Sequence, residues 1–172
     1  MDVEEAIRSR RTHKAYGPEP VDEATLTELL DLGRWAPNHH LTNPWRFRVL
    51  GPASRERLRA AADADSPGSG AKLDRAPTLV AVSAVLRGDE VEREEDLLAA
   101  GCAAYAILLG AHARGLANYW RTPAVLRTEA GRAALGLAPD ERAIGLLHLG
   151  PRRQEQPPTE RAPLDAVTSW LD

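Results

Sequence analysis

Residues 35–47, Trp-Ala-Pro-Asn-His-His-Leu-Thr-Asn-Pro-Trp-Arg-Phe, bring two of the chain's four tryptophans, two of its five histidines and two prolines into thirteen positions. Each proline fixes its own φ and turns the residue before it away from the helical region. Pro37 is therefore expected to end a helix and Pro44 to hold an extended chain. Between them Asn38, His39, His40, Thr42 and Asn43 present hydrogen-bonding groups beside flat aromatic surfaces, which suits a planar ligand with a polar edge. His39 and His40 are neighbours, so on an extended chain they point apart, and no carboxylate–histidine spacing supports a zinc site. The competing reading is a helix-to-strand connection that buries its tryptophans.

Two other stretches carry chemistry. Arg10-Arg11-Thr12-His13-Lys14 sets two guanidiniums, a hydroxyl and an ammonium within five residues, enough to clamp a phosphate; the alternative is a solvated basic turn. In Trp120-Arg121-Thr122-Pro123, Thr122 reads as an N-cap and Pro123 as the first residue of a helix reaching about Leu135. That helix start would attract an anion or the electron-rich edge of a ring, with Arg121 beside it, the alternative being a capped helix with a surface arginine. There is no Gly-x-Ser-x-Gly elbow, no phosphate-loop Gly-Lys-Thr and no Gly-x-Gly-x-x-Gly. An enzyme built this way takes its chemistry from a bound cofactor, with the protein supplying position and electrostatics.

The elements that must position these groups follow from periodicity and punctuation. Residues 2–9 carry apolar Val3, Ala6 and Ile7 at helical spacing. Residues 16–20 form a turn, and Asp22 caps a helix with Leu26, Leu29, Leu30 and Gly33 on one face, ending near Trp35. Residues 47–50 read as a strand and 54–62 as a helix. Residues 63–70 read as a flexible connection. Residues 79–86 are a strand apolar on both faces. The charged residues 87–96 read as a link to an almost wholly apolar helix, 97–114, stopped by Gly115. Its small residues suit the centre of a fold or a subunit interface. Residues 143–149 form the next buried strand. A proline-rich tail then ends in Leu164, Val167, Trp170 and Leu171, which a partner subunit would bury.

A chain of 172 residues fits one domain with a terminal arm, residues 151–172. A net charge of −3, from 22 basic and 25 acidic residues, argues against a general nucleic-acid binder. The one cysteine, Cys102, excludes an internal disulfide framework and a multi-cysteine metal site. Lying in an apolar run, it is expected to be buried and unreactive. The opening Asp-Val-Glu-Glu-Ala-Ile lacks the order of a signal peptide, and the longest uncharged apolar run, 97–111, falls short of the roughly 20 residues that span a bilayer. The expectation is a cytoplasmic protein with no membrane or nucleic-acid partner.

Taken together, Arg10-Arg-Thr-x-Lys-Ala-Tyr16, Arg34-Trp-Ala-Pro37, Asn43-Pro-Trp-Arg-Phe47 and Gly115-Leu-Ala-Asn-Tyr-Trp-Arg-Thr122 resemble the FMN-dependent nitroreductase family. The strand 144–150 continues the match, which runs from about residue 3 to 150. The chain is most similar to the small, minimal members, with only residues 87–95 where larger relatives carry helical insertions. Asn43 stands where the family usually has Gln, and His39 matches a histidine of the minimal members.

The resemblance implies an α+β sandwich, a central, mostly antiparallel sheet flanked by helices, in a homodimer with exchanged arms and two FMN sites at the subunit interface. It implies cofactor contacts from Arg10, Arg11 and Thr12 to the phosphate, with Lys14 nearer the ring. Trp35, His39 and Asn43 would come from the loop, and Trp120, Arg121 and Thr122 would approach the flavin. Arg152 or Arg153 would add to the phosphate site. The implied reaction is ping-pong: NADH or NADPH gives hydride to flavin N5, and a nitroaromatic or quinone-type acceptor takes the electrons. No side chain serves as catalytic residue and no metal is involved. The same scaffold also hosts dehalogenation, dehydrogenation and flavin fragmentation, and a non-catalytic FMN-binding protein is a further alternative. The last alternative is a colourless protein that reads an acidic partner through residues 8–14.

Overall fold

A computed structural model describes residues 1–171. Four strands, β1 (Trp45–Val49), β2 (Thr78–Val85), β3 (Leu116–Arg121) and β4 (Glu141–Pro151), form one antiparallel sheet in the order β1-β2-β4-β3. Five helices flank it: α1 (Val3–Ser9), α2 (Glu23–Gly33), α3 (Pro52–Asp65), α4 (Glu90–Ala113) and α5 (Glu129–Ala134). The fold is α+β, as the sequence implies.

Side-chain alternation along the strands divides the interior into two cores. On one face Leu79, Ala81, Ala117 and Leu146 pack with Leu58 and Ala62 of α3 and with Ala134 of α5. On the other, Val80, Val82, Leu147 and Leu149 meet Leu26 and Leu29 of α2 and Ala104, Ile107, Leu108 and Ala111 of α4. Every residue of β2 is buried, which is why that strand reads as a continuous apolar run.

Helix starts follow side-chain capping. Asp2 accepts from Glu5 N at 2.8 Å and Asp22 from Thr25 N at 2.9 Å, the second being the cap the sequence indicates. α4 differs from expectation. It begins at Glu90 rather than at residue 97, because Asp89 and Glu92 form a capping box, with Asp89 N donating to Glu92 at 2.9 Å. The charged stretch is thus the first two turns of the helix, solvated on its outer face. By length and hydropathy α4 could cross a bilayer, but more than half of its apolar window is buried against the protein. Likewise α3 runs on to Asp65, so the first three residues of the expected connection are helix, and the irregular remainder leads into a short turn at Gly70–Leu73.

Cys102 is exposed, not buried. Its neighbours Ala103 and Ala104 face the core, while Cys102 belongs to an outward stripe with Val91, Leu98 and Tyr105. That stripe is apolar and unpartnered among the described residues. The tail ends equally bare: Leu164, Val167, Trp170 and Leu171 are each more than two-thirds exposed.

Candidate functional site

The basic segment leaves α1 and runs extended beside β3. His13 N donates to Asn118 O at 3.0 Å, and Arg10 Nη1 reaches Asn118 Oδ1 at 3.4 Å. Further on, Tyr16 pairs with Arg152 just past β4, and its hydroxyl donates to His13 O at 2.7 Å. The extended geometry alternates exposure: His13 is buried, while Thr12 and Lys14 face out. Arg11 is braced by Arg8 O at 2.7 Å and, from its Nε, by Pro157 O at 3.3 Å.

Arg10, Arg11 and Thr12 thereby line a cavity of about 260 Å³ whose far wall is Gln156, Thr159 and Arg161. Three guanidiniums and two hydroxyls line it, with no carboxylate. Arg10, Arg11 and Thr12, which the sequence singles out, share this lining with Thr159 and Arg161, which it does not. Their only signal is a basic residue among prolines in the segment after β4.

Charge reinforces the picture. His112, near the C-terminal end of α4, is held below its ordinary pKa by burial and then by Arg152, His13, Arg10 and Arg11. His13 is lowered in the same way, by burial and then by Arg152. Ser9 Oγ donates to Glu5 O at 2.6 Å, so its 2.8 Å contact with His112 Nε2 must be accepted from the ring. That leaves His112 Nδ1 buried without a partner, and Arg152 Nε is a buried donor equally unpaired among the described residues. Arg10, Arg11 and Arg152 thus converge on His112, and although Arg152 Nη1 pairs with Glu155 at 3.0 Å, the local excess of guanidinium favours an anion.

The loop is not extended. Residues His39–Leu41 form a 3-10 turn, and His40, Leu41 and Asn43 have φ of 48°, 52° and 46°. These are the non-glycine residues of positive φ among those described, and for a branched side chain such as Leu41 the conformation is costly. The turn brings the rings of His39 and His40 edge to face at 4.0 Å rather than apart, correcting the sequence reading. Side chains lock it. Asn38 Oδ1 accepts from Asn43 N at 2.9 Å, Asn43 Nδ2 donates to Leu41 O at 2.8 Å, and Thr42 Oγ1 donates to Asp96 at 3.0 Å. Trp45 is buried under the loop, whereas Trp35 stands 76 % exposed. Trp35, His39 and Asn43 therefore present from a stiff turn into open space.

The third stretch differs most. Trp120 and Arg121 end β3 on opposite faces of the sheet. Thr122 caps nothing: Pro123 has ψ of 148°, a short 3-10 turn follows, and α5 is capped by Thr128, whose hydroxyl accepts from Gly131 N at 3.0 Å. The expected helix N-terminus at Thr122 is thus absent, and with it the dipole meant to hold an anion. Arg121 instead donates to Lys72 O at 3.1 Å, bringing the turn Gly70–Leu73 beside it, a neighbour the sequence does not suggest. On the other face, the Trp120 indole donates to Ile144 O at 3.1 Å. Ile144 is the extra residue where β4 slips register against β2, so the indole satisfies a carbonyl that the ladder cannot.

Within the chain the loop and the basic segment stand apart. The loop is tied to Asp96 and the basic segment to His112, both on α4. They lie 16 positions apart, about 24 Å along a helix rising 1.5 Å per residue. Between the two ends runs the bare apolar stripe of Leu98, Cys102 and Tyr105.

Comparison with known proteins places this geometry. The family model described as "Nitroreductase family" matches residues 7–151. The chain is similar to an Escherichia coli (strain K12) protein named "Putative NAD(P)H nitroreductase YdjA", 31% identical over 87% of this chain and 88% of that one. A Bacillus subtilis relative named "Putative NAD(P)H nitroreductase YfhC" is 28% identical over 86% of this chain and 83% of its own length. Among solved structures, a nitroreductase-like protein from Bacillus cereus superposes with a TM-score of 0.90 over 100% of this chain and 97% of that one, at 22% identity, a likeness of fold. A Desulfovibrio desulfuricans structure, "a putative nitroreductase in complex with fmn", gives a TM-score of 0.83 at 27% identity, covering 99% of this chain and 96% of that one.

Proposed function

The chain belongs to the nitroreductase family and is an oxidoreductase; from that premise we propose that it holds FMN, takes electrons from NADH or NADPH and passes them to small nitroaromatic or quinone-type acceptors. The observation that carries the cofactor assignment is the carboxylate-free cavity of Arg10, Arg11, Thr12 and Arg161, with Arg152 close to the same His112 and its Nε buried and unpaired while its Nη1 pairs with Glu155. A phosphate monoester fits that donor set, since it supplies the charge and the lone pairs the pocket lacks. Bound FMN would supply hydride acceptance from the nicotinamide and electron delivery to the acceptor.

The residues of the chain bind and orient. Arg10, Arg11, Thr12 and Arg152 hold the phosphate, joined by Thr159 and Arg161 across the cavity. Lys14, exposed on the same strand-like segment, is the cation available to a ring beyond the phosphate. Arg121 and Thr122, no longer at a helix start, act through a guanidinium fixed by Lys72 O and a free hydroxyl. Trp35, His39 and Asn43 supply the other wall. Because α4 separates them from the phosphate pocket within one chain, that wall comes from a second copy. Two chains packed antiparallel along Leu98, Cys102 and Tyr105 bring each loop to its partner's basic segment and offer the bare tail a surface. The assembly proposed is a homodimer with FMN at the interface, in the cytoplasm.

The test is an anaerobic absorbance scan of the purified protein. Flavin bands bleached by NADH or NADPH and restored by a nitroaromatic or quinone are the expected result. A yellow protein bleached by neither nicotinamide would replace this reading with FMN binding or another flavin reaction.

A further inference from the structure

A second cavity, of about 440 Å³, lies between the first half of α4, the start of β4 and the Ala124–Arg127 turn with α5. Its floor is apolar, made by Leu97, Leu126 and Ile144, and its rim carries Arg127, Arg132 and Arg142, with no carboxylate in the lining. The three arginines are not equivalent. Arg132 is structural: it donates to Glu141 O at 2.7 Å and to Ala138 O at 2.9 Å, closing the turn before β4. Arg127 and Arg142 are exposed, and neither has a hydrogen-bond or ion-pair partner among the described residues. The two buried acids next to the lining in sequence are committed elsewhere: Glu141 pairs with Arg48 at 2.7 Å, and Asp96 accepts from Thr42 Oγ1 at 3.0 Å and Arg87 N at 3.1 Å. The rim therefore keeps two uncompensated forks above a hydrophobic floor.

A cavity of this size belongs to the range that takes small molecules rather than chains. An apolar floor recognises a ring. A guanidinium recognises a carboxylate through two parallel N–H donors and can stack on an aromatic face as well. We propose that this cavity is a binding site for a small aromatic carboxylate, with the ring on Leu97, Leu126 and Ile144 and the carboxylate taken by Arg127 and Arg142. The site needs neither the flavin nor a second subunit. One link to the cofactor region is Ile144, whose carbonyl holds the Trp120 indole.

That link supplies the probe. The indole N–H of Trp120, identified as the resonance missing from Trp120→Phe, is followed in ¹H–¹⁵N spectra while benzoate or its neutral isostere benzamide is added to the purified protein. Benzoate is expected to shift the signal saturably, with benzamide roughly tenfold or more weaker. The double variant Arg127→Gln/Arg142→Gln should bind the two alike, and Arg127→Gln alone should lose part of the preference. Equal binding of benzoate and benzamide, no saturable shift, or a preference that survives the double variant would overturn the proposal. Both arginines are solvent-exposed, and an unchanged melting temperature certifies the fold of each variant. Flavin content recorded on the same samples reports on the proposed function separately.

Discussion

The indole of Trp120 lies directly on Gly145: a Cβ there would overlap the ring nitrogen, which is engaged with Ile144 O. The opposite edge of the same ring reaches within 3.8 Å of the Cβ position of Gly101 on α4. Gly145→Ala should therefore force the indole off Ile144 and cost about 1–3 kcal/mol, as overpacking does. Urea unfolding with an unchanged midpoint would show that the ring has room to move.

Arg48, Ser83 and Glu141 form a second fixed point. Arg48 Nη1 meets Glu141 at 2.7 Å and Ser83 Oγ donates to the same carboxylate at 2.8 Å. Burial pushes Glu141 up, but these hydrogen bonds win and hold it below the usual carboxylate range. A depressed acid contributes stability above its unfolded pKa of about 4.3 and loses it as pH falls through the folded value. Arg48→Met should cost about 2–4 kcal/mol at pH 7, mostly from the stranded carboxylate. The gap to the unaltered protein should narrow below pH about 4, which denaturation at several pH values checks.

His148 reports on acid sensitivity. Buried between Tyr119 and the α3 side of the sheet, it is pushed down to about 3 by burial, then by Arg121, Arg55 and Arg75. Below pH about 6.5 the unfolded chain binds a proton that the folded chain refuses, so stability falls with pH by up to about 1.4 kcal/mol per unit for this group. His148→Leu should flatten the stability–pH curve between about pH 6 and 4 by up to that slope. An unaltered slope would mean the histidine is protonated in the folded state.

Arg10→Ala removes one charge-assisted partner of the proposed phosphate and should weaken FMN binding by about ten- to a hundredfold, equivalent to about 1.5–3 kcal/mol. Arg152→Ala should do the same. Flavin-to-protein ratios after gel filtration measure it, and full occupancy in both variants would remove these residues from the site.

Leu98→Asp places a charge in the outward stripe of α4 without touching either core, since Leu98 is 65% exposed. Light scattering should show a monomer, with folding retained and FMN lost in step. A flavin-loaded monomer would contradict the shared site.

The sequence declares those features whose cause is local. Asp22 caps the helix it precedes because the chain around it offers no rival, and β2 is legible because both its faces are buried. Thr122 and Thr128 look alike in sequence, yet the extended Pro123 after Thr122 leaves the cap to Thr128. Cys102 misleads because its apolar neighbours describe the run rather than the face, and helical phase alone decides which residue turns outward. At the site, the clustered charge of Arg10 and Arg11 is visible at once. Arg161 is not, because only the tertiary path of the tail brings it across some 150 residues to the same cavity.

Helix α4 acts as a spacer, and its length has a consequence for regulation by abundance. If it holds the two halves of each site too far apart for one chain to close, cofactor capture is linked to self-association, and apparent affinity becomes a function of protein concentration. At concentrations well below the dimer dissociation constant, the number of complete sites grows with the square of the number of chains. Modest changes in expression would then be amplified at the level of active enzyme, with no effector required.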